Sequence, residues 1–222
     1  MFEKRISIFT GHFGSGKTEV AVNYSLKLSE ICSKTAVVDL DIVNPYFRTA
    51  DVKQLLESRG LRVFTTLYAN TNVDVPALPS EINSLFEKQD YRVVLDVGGD
   101  DLGARALSRY KDEFNHCNYE MFLVINTKRP MTDTAEKIEA MIRDIEYRSR
   151  LPVTKLVNNT NLLGNTAIED LLEGNRIIEE VSKKMDKPLG FISCFREYAE
   201  AVGRQTGMEV LELDKYIKLP WD

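Results

Sequence analysis

The sequence predicts an α/β protein: a three-layer α/β/α sandwich around a mostly parallel central sheet of about seven strands. Three observations lead there. Short apolar runs rich in β-branched residues recur along the chain, separated by longer segments whose apolar residues repeat with helical spacing. Several of these runs are apolar almost throughout, as strands covered on both faces are. A glycine-rich turn also joins the first run directly to the first helical segment.

Taken in order, the first strand runs from Arg5 to Thr10. Val20, Tyr24, Leu28 and Ile31 line one face of the helix after it. A second strand spans Thr35 to Asp41, and a helix is expected after Asn44-Pro45. Strands at Arg62 to Thr66 and Arg92 to Val97 bracket a helix from Ser80 to Lys88, and a further helix starts near Leu102. The strand Met121 to Asn126 precedes a helix with Ile138, Met141, Ile142 and Ile145 on one face. The strand Thr154 to Asn158 precedes one carrying Ile168, Leu171, Leu172, Ile178 and Val181, and Leu189 to Ser193 closes the set. Right-handed crossovers bring the C-terminal ends of parallel strands to one edge, where ligands bind in such sheets.

A chain of 222 residues suits a single domain of this kind. A net charge of −5 counts against a surface built for DNA or an anionic membrane, since both require a basic patch. Cys32, Cys117 and Cys194 are far apart and odd in number, which provides neither a disulfide framework nor a paired metal site and fits a reducing cytoplasm. No apolar run approaches the roughly 20 residues of a membrane span, and the N-terminus leads into a strand without the apolar core of a signal peptide. The expectation is a cytoplasmic protein, neither exported nor membrane-spanning.

The turn itself reads Gly11-His12-Phe13-Gly14-Ser15-Gly16-Lys17-Thr18, which satisfies G-x-x-x-x-G-K-[ST] between a predicted strand and a predicted helix. This is a P-loop, and the chemistry explains its spelling. Glycines let successive backbone N–H groups, here at Gly11, Gly14, Ser15 and Gly16, turn inward around phosphates, and the helix N-terminus adds partial positive charge. Lys17 reaches the β- and γ-phosphates, and the Thr18 hydroxyl is a ligand for magnesium, which prefers oxygen.

A metal and an attacking water need carboxylates opposite this loop, at the ends of neighbouring strands. Asp96 ends Val93-Val94-Leu95-Asp96 and begins Asp96-Val97-Gly98-Gly99, a Walker B aspartate followed by D-x-x-G. Asp96 is expected to share magnesium with Thr18, and the Gly99 N–H to sense the γ-phosphate. The second acidic strand end is Asp39-Leu40-Asp41, followed by Ile42-Val43-Asn44-Pro45.

A P-loop, then a strand ending in D-x-D with Asn-Pro nearby, then D-x-x-G, resembles the MinD/ParA group of ATPases and their relatives, the nitrogenase iron protein and dethiobiotin synthetase. The resemblance implies a P-loop NTPase fold, ATP and Mg2+ as ligands, and Asp41 as the switch carboxylate that orients the attacking water. Asp39 is then structural, since strand residues two apart share a face while Asp41 begins the loop. It implies a protein partner and, in many members, a homodimer. In those members a second lysine follows the first P-loop glycine and crosses to the partner's phosphates; this chain has His12 there. His12 when protonated, Arg48 and Arg105 are the alternative phosphate contacts.

The turn Asn158-Asn159-Thr160-Asn161 resembles the asparagine this group places at the adenine edge, where an amide both accepts and donates. Asn126-Thr127-Lys128-Arg129 lacks the pattern N-K-x-D of a GTPase, so ATP is preferred over GTP. Phe195 is either a stacking partner for the base or a core aromatic. The polar segment Tyr68 to Pro79 is either a docking loop or ordinary surface. The leading expectation is a magnesium-dependent ATPase that works as a nucleotide-driven switch on a protein partner, with Lys17 and Asp41 catalytic. The alternatives are a small-molecule kinase or ligase and a regulator that binds ATP without turning it over. The short, mixed-charge C-terminus with Pro220 is unlike a membrane-binding amphipathic helix.

Overall fold

The computed structural model describes residues 1–41, 49–65, 80–99 and 101–217. Asn44-Pro45, Arg48 and the segment from Tyr68 to Pro79 lie outside the described residues. Eight strands form a single sheet: β1 (Ile6–Thr10), β2 (Thr35–Leu40), β3 (Arg62–Thr65), β4 (Arg92–Val97), β5 (Tyr119–Ile125), β6 (Lys155–Asn158), β7 (Leu189–Phe195) and β8 (Val210–Leu213). Their order is β3-β2-β4-β1-β5-β6-β7-β8, and every neighbouring pair is parallel. Parallel neighbours require crossovers, and helices supply them on both faces: α1 (Lys17–Ile31), α2 (Lys53–Ser58), α3 (Ser80–Glu87), α4 (Asp101–Ser108), α5 (Lys111–His116), α6 (Ala135–Ser149), α7 (Ile168–Met185) and α8 (Arg196–Thr206).

Every residue of β1 and β2 is buried, as a central strand's continuous apolar run requires. Alternation along β1 sends Ile6 and Ile8 into the core beneath α6 and α7, and Phe9 into the core beneath α1. The second core is aromatic. Phe9 stacks on Phe122 with ring centroids 5.0 Å apart, Tyr24 meets the edge of Phe9 at 4.9 Å, and Phe122 meets Phe191 at 5.5 Å. The Tyr24 hydroxyl accepts from Ser7 Oγ at 3.0 Å and donates to the Met1 carbonyl at 3.2 Å, so its polar end is satisfied inside an apolar cluster.

The sheet has one strand more than expected. β8 is four residues long and sits at the sheet edge, with Leu211 and Leu213 buried and Glu212 exposed, too short an alternation to stand out from a loop. The helices α5 and α8 were not anticipated either. α8 follows β7 with no break: its N-cap is Phe195 and no side chain caps it, so the usual punctuation residue is missing. Ile31, expected on the buried face of α1, is 68% exposed because that helix leaves the sheet after Leu28.

Removing the ring at the centre of the aromatic cluster leaves a cavity its neighbours cannot close. Phe122→Ala is expected to cost about 3–5 kcal/mol, read as a shift in the urea midpoint without a change in slope.

Candidate active site

The register brings the chemistry together. Asp96 lies level with Phe9 on one side and with Asp39 on the other, so the ends of β1, β2 and β4 form one rim. The chain turns out of β1 at Gly11 and enters α1 at Lys17. Gly16 is the N-cap of α1, with φ 81°, and no side chain caps that helix, so its first N–H groups keep their capacity for a ligand.

Two close approaches hold this loop. A Cβ on Gly16 would lie 2.4 Å from Asn159 Nδ2, and that amide instead donates to the Ser15 carbonyl at 2.7 Å while its Oδ1 accepts from Ser193 Oγ at 3.0 Å. Asn159 thus pins the back of the loop to β6 and β7. On the other flank a Cβ on Gly99 would lie 2.1 Å from the Gly11 carbonyl oxygen, so only glycine lets the segment after β4 run against the loop. Arg129, at the end of β5, donates from Nε to the Gly14 carbonyl at 3.1 Å.

Behind the loop lies a buried group of charges. Lys17 Nζ meets Asp41 Oδ2 at 2.6 Å, with both side chains almost wholly enclosed. Asp96 is fully buried; its Oδ2 accepts from Thr49 Oγ1 at 3.0 Å, and its Oδ1 has no hydrogen-bond partner among the described residues. Burial pushes the Asp96 carboxyl above its ordinary value, Lys17 opposes that, Asp41 adds to it, and the Thr18 and Thr49 hydroxyls support the charged form. Ser15 Oγ is likewise buried without a partner. A buried carboxylate oxygen with nothing bonded to it is costly, and a cation removes that cost. Thr18 and Asp96 therefore fit the oxygen donor set that magnesium takes alongside its own waters.

A cavity of about 550 Å³ opens from the loop towards β7 and β8. Asn159, Thr160, Asn161, Phe195, Tyr198 and Lys215 are among its lining residues. Asn158 is not. It is fully buried, its Nδ2 donates to the Leu171 carbonyl at 3.0 Å, and its Oδ1 accepts from the Thr160 N–H at 3.0 Å. Both asparagines expected to read a base thus brace the turn, because their amides are already engaged by the protein.

The far wall of the cavity is the chain after β8. Glu19 accepts from the Tyr216 and Ile217 N–H groups at 2.9 and 3.1 Å, and Asn23 both accepts from the Asp214 N–H at 2.8 Å and donates to its carbonyl at 2.9 Å. The first two turns of α1 thereby fix Lys215 and Ile217 against the cavity. Burial pushes the Glu19 carboxyl up to about 7, against the lowering effect of those two N–H donors.

Of the expected phosphate contacts, His12 is half-buried in the loop, with Nδ1 2.9 Å from the Phe13 carbonyl. Arg105 is not at the loop at all; it is exposed on α4 and lines a separate cavity with Arg148 of α6. Sequence reasoning missed Arg129, Thr49 and the Glu19 strap. Arg129 had a signal, a cation just after the strand that neighbours β1; the other two depend on contacts across 47 and 198 positions that no local pattern records.

No family model matches the sequence, and no curated protein matches it. Among solved structures the chain is similar to FlhF complexed with GTP and Mg2+ (TM-score 0.52, 16% identity, 86% of this chain and 65% of that one). It is also similar to chloroplast FtsY from Physcomitrella patens (0.56, 14%, 86% and 58%). A third similar structure is a nucleotide-binding protein in complex with ADP from Archaeoglobus fulgidus (0.50, 14%, 90% and 85%). The chain has the P-loop NTPase fold. It spans 65% and 58% of the first two of these structures, and at such identities the likeness concerns the fold alone.

The buried Glu19 carboxyl makes stability depend on pH. Its folded value of about 7 lies above the ordinary 4.5, so the folded state keeps the proton longer than the unfolded chain. Below about pH 4.5 both states hold it; between 4.5 and 7 stability falls as pH rises; above 7 the loss is complete. Metal-free protein is expected to lose about 3 kcal/mol across that window. Glu19→Gln should flatten this part of the profile in chemical denaturation at a series of pH values.

Proposed function

We propose that the protein binds ATP with magnesium at the Gly11 to Thr18 loop, hydrolyses it, and serves as a nucleotide-driven switch on a protein partner. The observation that carries this reading is the partnerless Asp96 Oδ1, fully buried beside Lys17 and Thr18 at the foot of an uncapped helix N-terminus. Loop amides and Lys17 neutralise the phosphates, and Arg129 at Gly14 supplies a further cation on the loop's outer side. Thr18 and Asp96 would hold magnesium, which would supply positive charge to the phosphate oxygens.

Asp41 has two roles in succession. Without nucleotide it neutralises Lys17. When Lys17 turns to the phosphates, Asp41 is released to orient a water for in-line attack. The same exchange links nucleotide to the segment after β2, whose Thr49 donates to Asp96, and to the segment after β4, whose Gly99 abuts the loop. Motion of these two segments with the state of the γ-phosphate is the switch. The order of P-loop, D-x-D and D-x-x-G supports kinship with the MinD/ParA group, with His12 in place of the signature lysine; a second copy of the chain is the partner that kinship suggests first.

Adenine is favoured over guanine on chemical grounds. Guanine presents adjacent N–H donors that are best met by a carboxylate. Among the described lining residues the acidic one is Glu19, and its oxygens are taken by the Tyr216 and Ile217 N–H groups. Asn161 lines the cavity with an amide whose Nδ2 donates to the Asn159 carbonyl at 2.8 Å and whose Oδ1 accepts from the Leu163 N–H at 3.3 Å; its second N–H and second lone pair are what adenine would use. The ADP complex of the Archaeoglobus protein and the GTP complex of FlhF leave either base compatible with this fold.

Nucleotide titration and phosphate release, with ATP and GTP and with and without magnesium, test the reading. Lys17→Ala is expected to weaken MgATP binding at least about tenfold, and normal binding by that variant would sink the assignment. Asp41→Ala should bind MgATP at least as tightly as the parent, having lost the competitor for Lys17, and should release phosphate about 100-fold more slowly. Turnover that appears only with an added metabolite would instead favour a small-molecule kinase.

A further inference from the structure

A second cavity, of about 560 Å³, lies between α4 and α6 and is lined by Arg105, Arg109, Asp144, Tyr147, Arg148 and Arg150. The α6 residues there belong to its last turns and the residue beyond, whereas the turn before α6 carries Arg129, Pro130 and Met131 of the first cavity. The two cavities are therefore separated by about 20 Å, the length of a helix of this size. Four arginines face one aspartate here, in a chain whose net charge is −5. Asp144 is engaged by Arg148 at 2.7 Å, while neither Arg109 nor Arg150 has a carboxylate within ion-pairing distance among the described residues.

Favourable placement of cations at helix C-termini accounts for part of this cluster. It does not account for Arg150, which holds φ 57° just past α6, a conformation that strains a side-chain-bearing residue and that glycine usually fills. Nor does it account for Tyr147, 84% exposed among the guanidinium groups. Arginine and tyrosine together are the residue types that dominate protein-binding surfaces, and guanidinium forks match carboxylates bidentately.

We propose that this pocket docks an acidic, Asp/Glu-rich segment of a protein partner. A nucleic acid is the poorer fit, since it requires a basic track along the surface of an otherwise acidic protein. The position is also suited to a partner of the switch proposed above: a Cβ on Gly103 in α4 would lie 2.3 Å from the Gly98 carbonyl oxygen, so the first turn of α4 is packed directly on the D-x-x-G segment. The docking itself does not depend on that switch.

Fluorescence anisotropy with a labelled ten-residue peptide of alternating glutamate and serine, at low salt and without nucleotide, tests the proposal on the full chain. Saturable binding is expected, weakened about tenfold or more by the double variant Arg109→Glu/Arg150→Glu and tightened by Asp144→Asn, which removes the carboxylate from the pocket lining. The double variant should keep the parent melting temperature and MgATP affinity, and Lys17→Ala should keep peptide affinity, so failure here is separate from failure of the nucleotide reading. The proposal is overturned if binding is absent up to millimolar peptide or unchanged in the double variant. It is equally overturned if an oligothymidylate or tripolyphosphate displaces the peptide at lower concentration than free peptide does.

Discussion

Among the described residues, two carboxylates of the rim, Asp41 and Asp96, lie close to one ammonium, Lys17, and the rest of the site depends on how that charge is shared. Asp96 is left short: among the described residues its Oδ1 has no hydrogen-bond partner, and burial pushes its carboxyl up. A protein selected only for stability would replace such a group with an apolar one. Its retention at the end of a central strand is intelligible if the missing charge arrives from outside, and the strands, the helix and the loop are all arranged to leave room for it.

The arrangement is rigid because glycine allows backbones to touch. The loop leans on Asn159 at Gly16 and on the segment after β4 at Gly99, and that segment in turn abuts α4 at Gly103. The contacts at Gly99 and Gly103 join backbone to backbone from the loop to α4. Packed backbone transmits displacement instead of absorbing it.

The fold was legible wherever the local pattern was long enough to be unambiguous. The seven expected strands lie where the β-branched runs placed them, because a strand covered on both faces must be apolar throughout and cannot be confused with an exposed loop. What escaped was short or non-local. β8 is a four-residue edge strand, and α8 starts without a capping residue. At the rim, the P-loop and both acidic strand ends could be read because each is spelled in consecutive residues. Thr49 and Glu19 could not, since their partners are remote in sequence. Asn158 and Asn159 illustrate a different limit: residue type and position pointed to base recognition, yet their amides hold the turn and the loop in place. A pattern of amides specifies that hydrogen bonds are needed there, not with whom.

The ion pair between Lys17 and Asp41 also bears on His12. A second lysine beside the first glycine would add another cation at the loop, close to a site where one ammonium already has a partner at 2.6 Å. In this chain the additional cation at the loop is Arg129, anchored to the Gly14 carbonyl from the neighbouring strand. An arginine held from within the same chain does its electrostatic work without a second subunit, whereas a lysine reaching across an interface needs one. The presence of His12 together with Arg129 therefore shifts the charge complement of the loop from a shared arrangement towards a self-contained one.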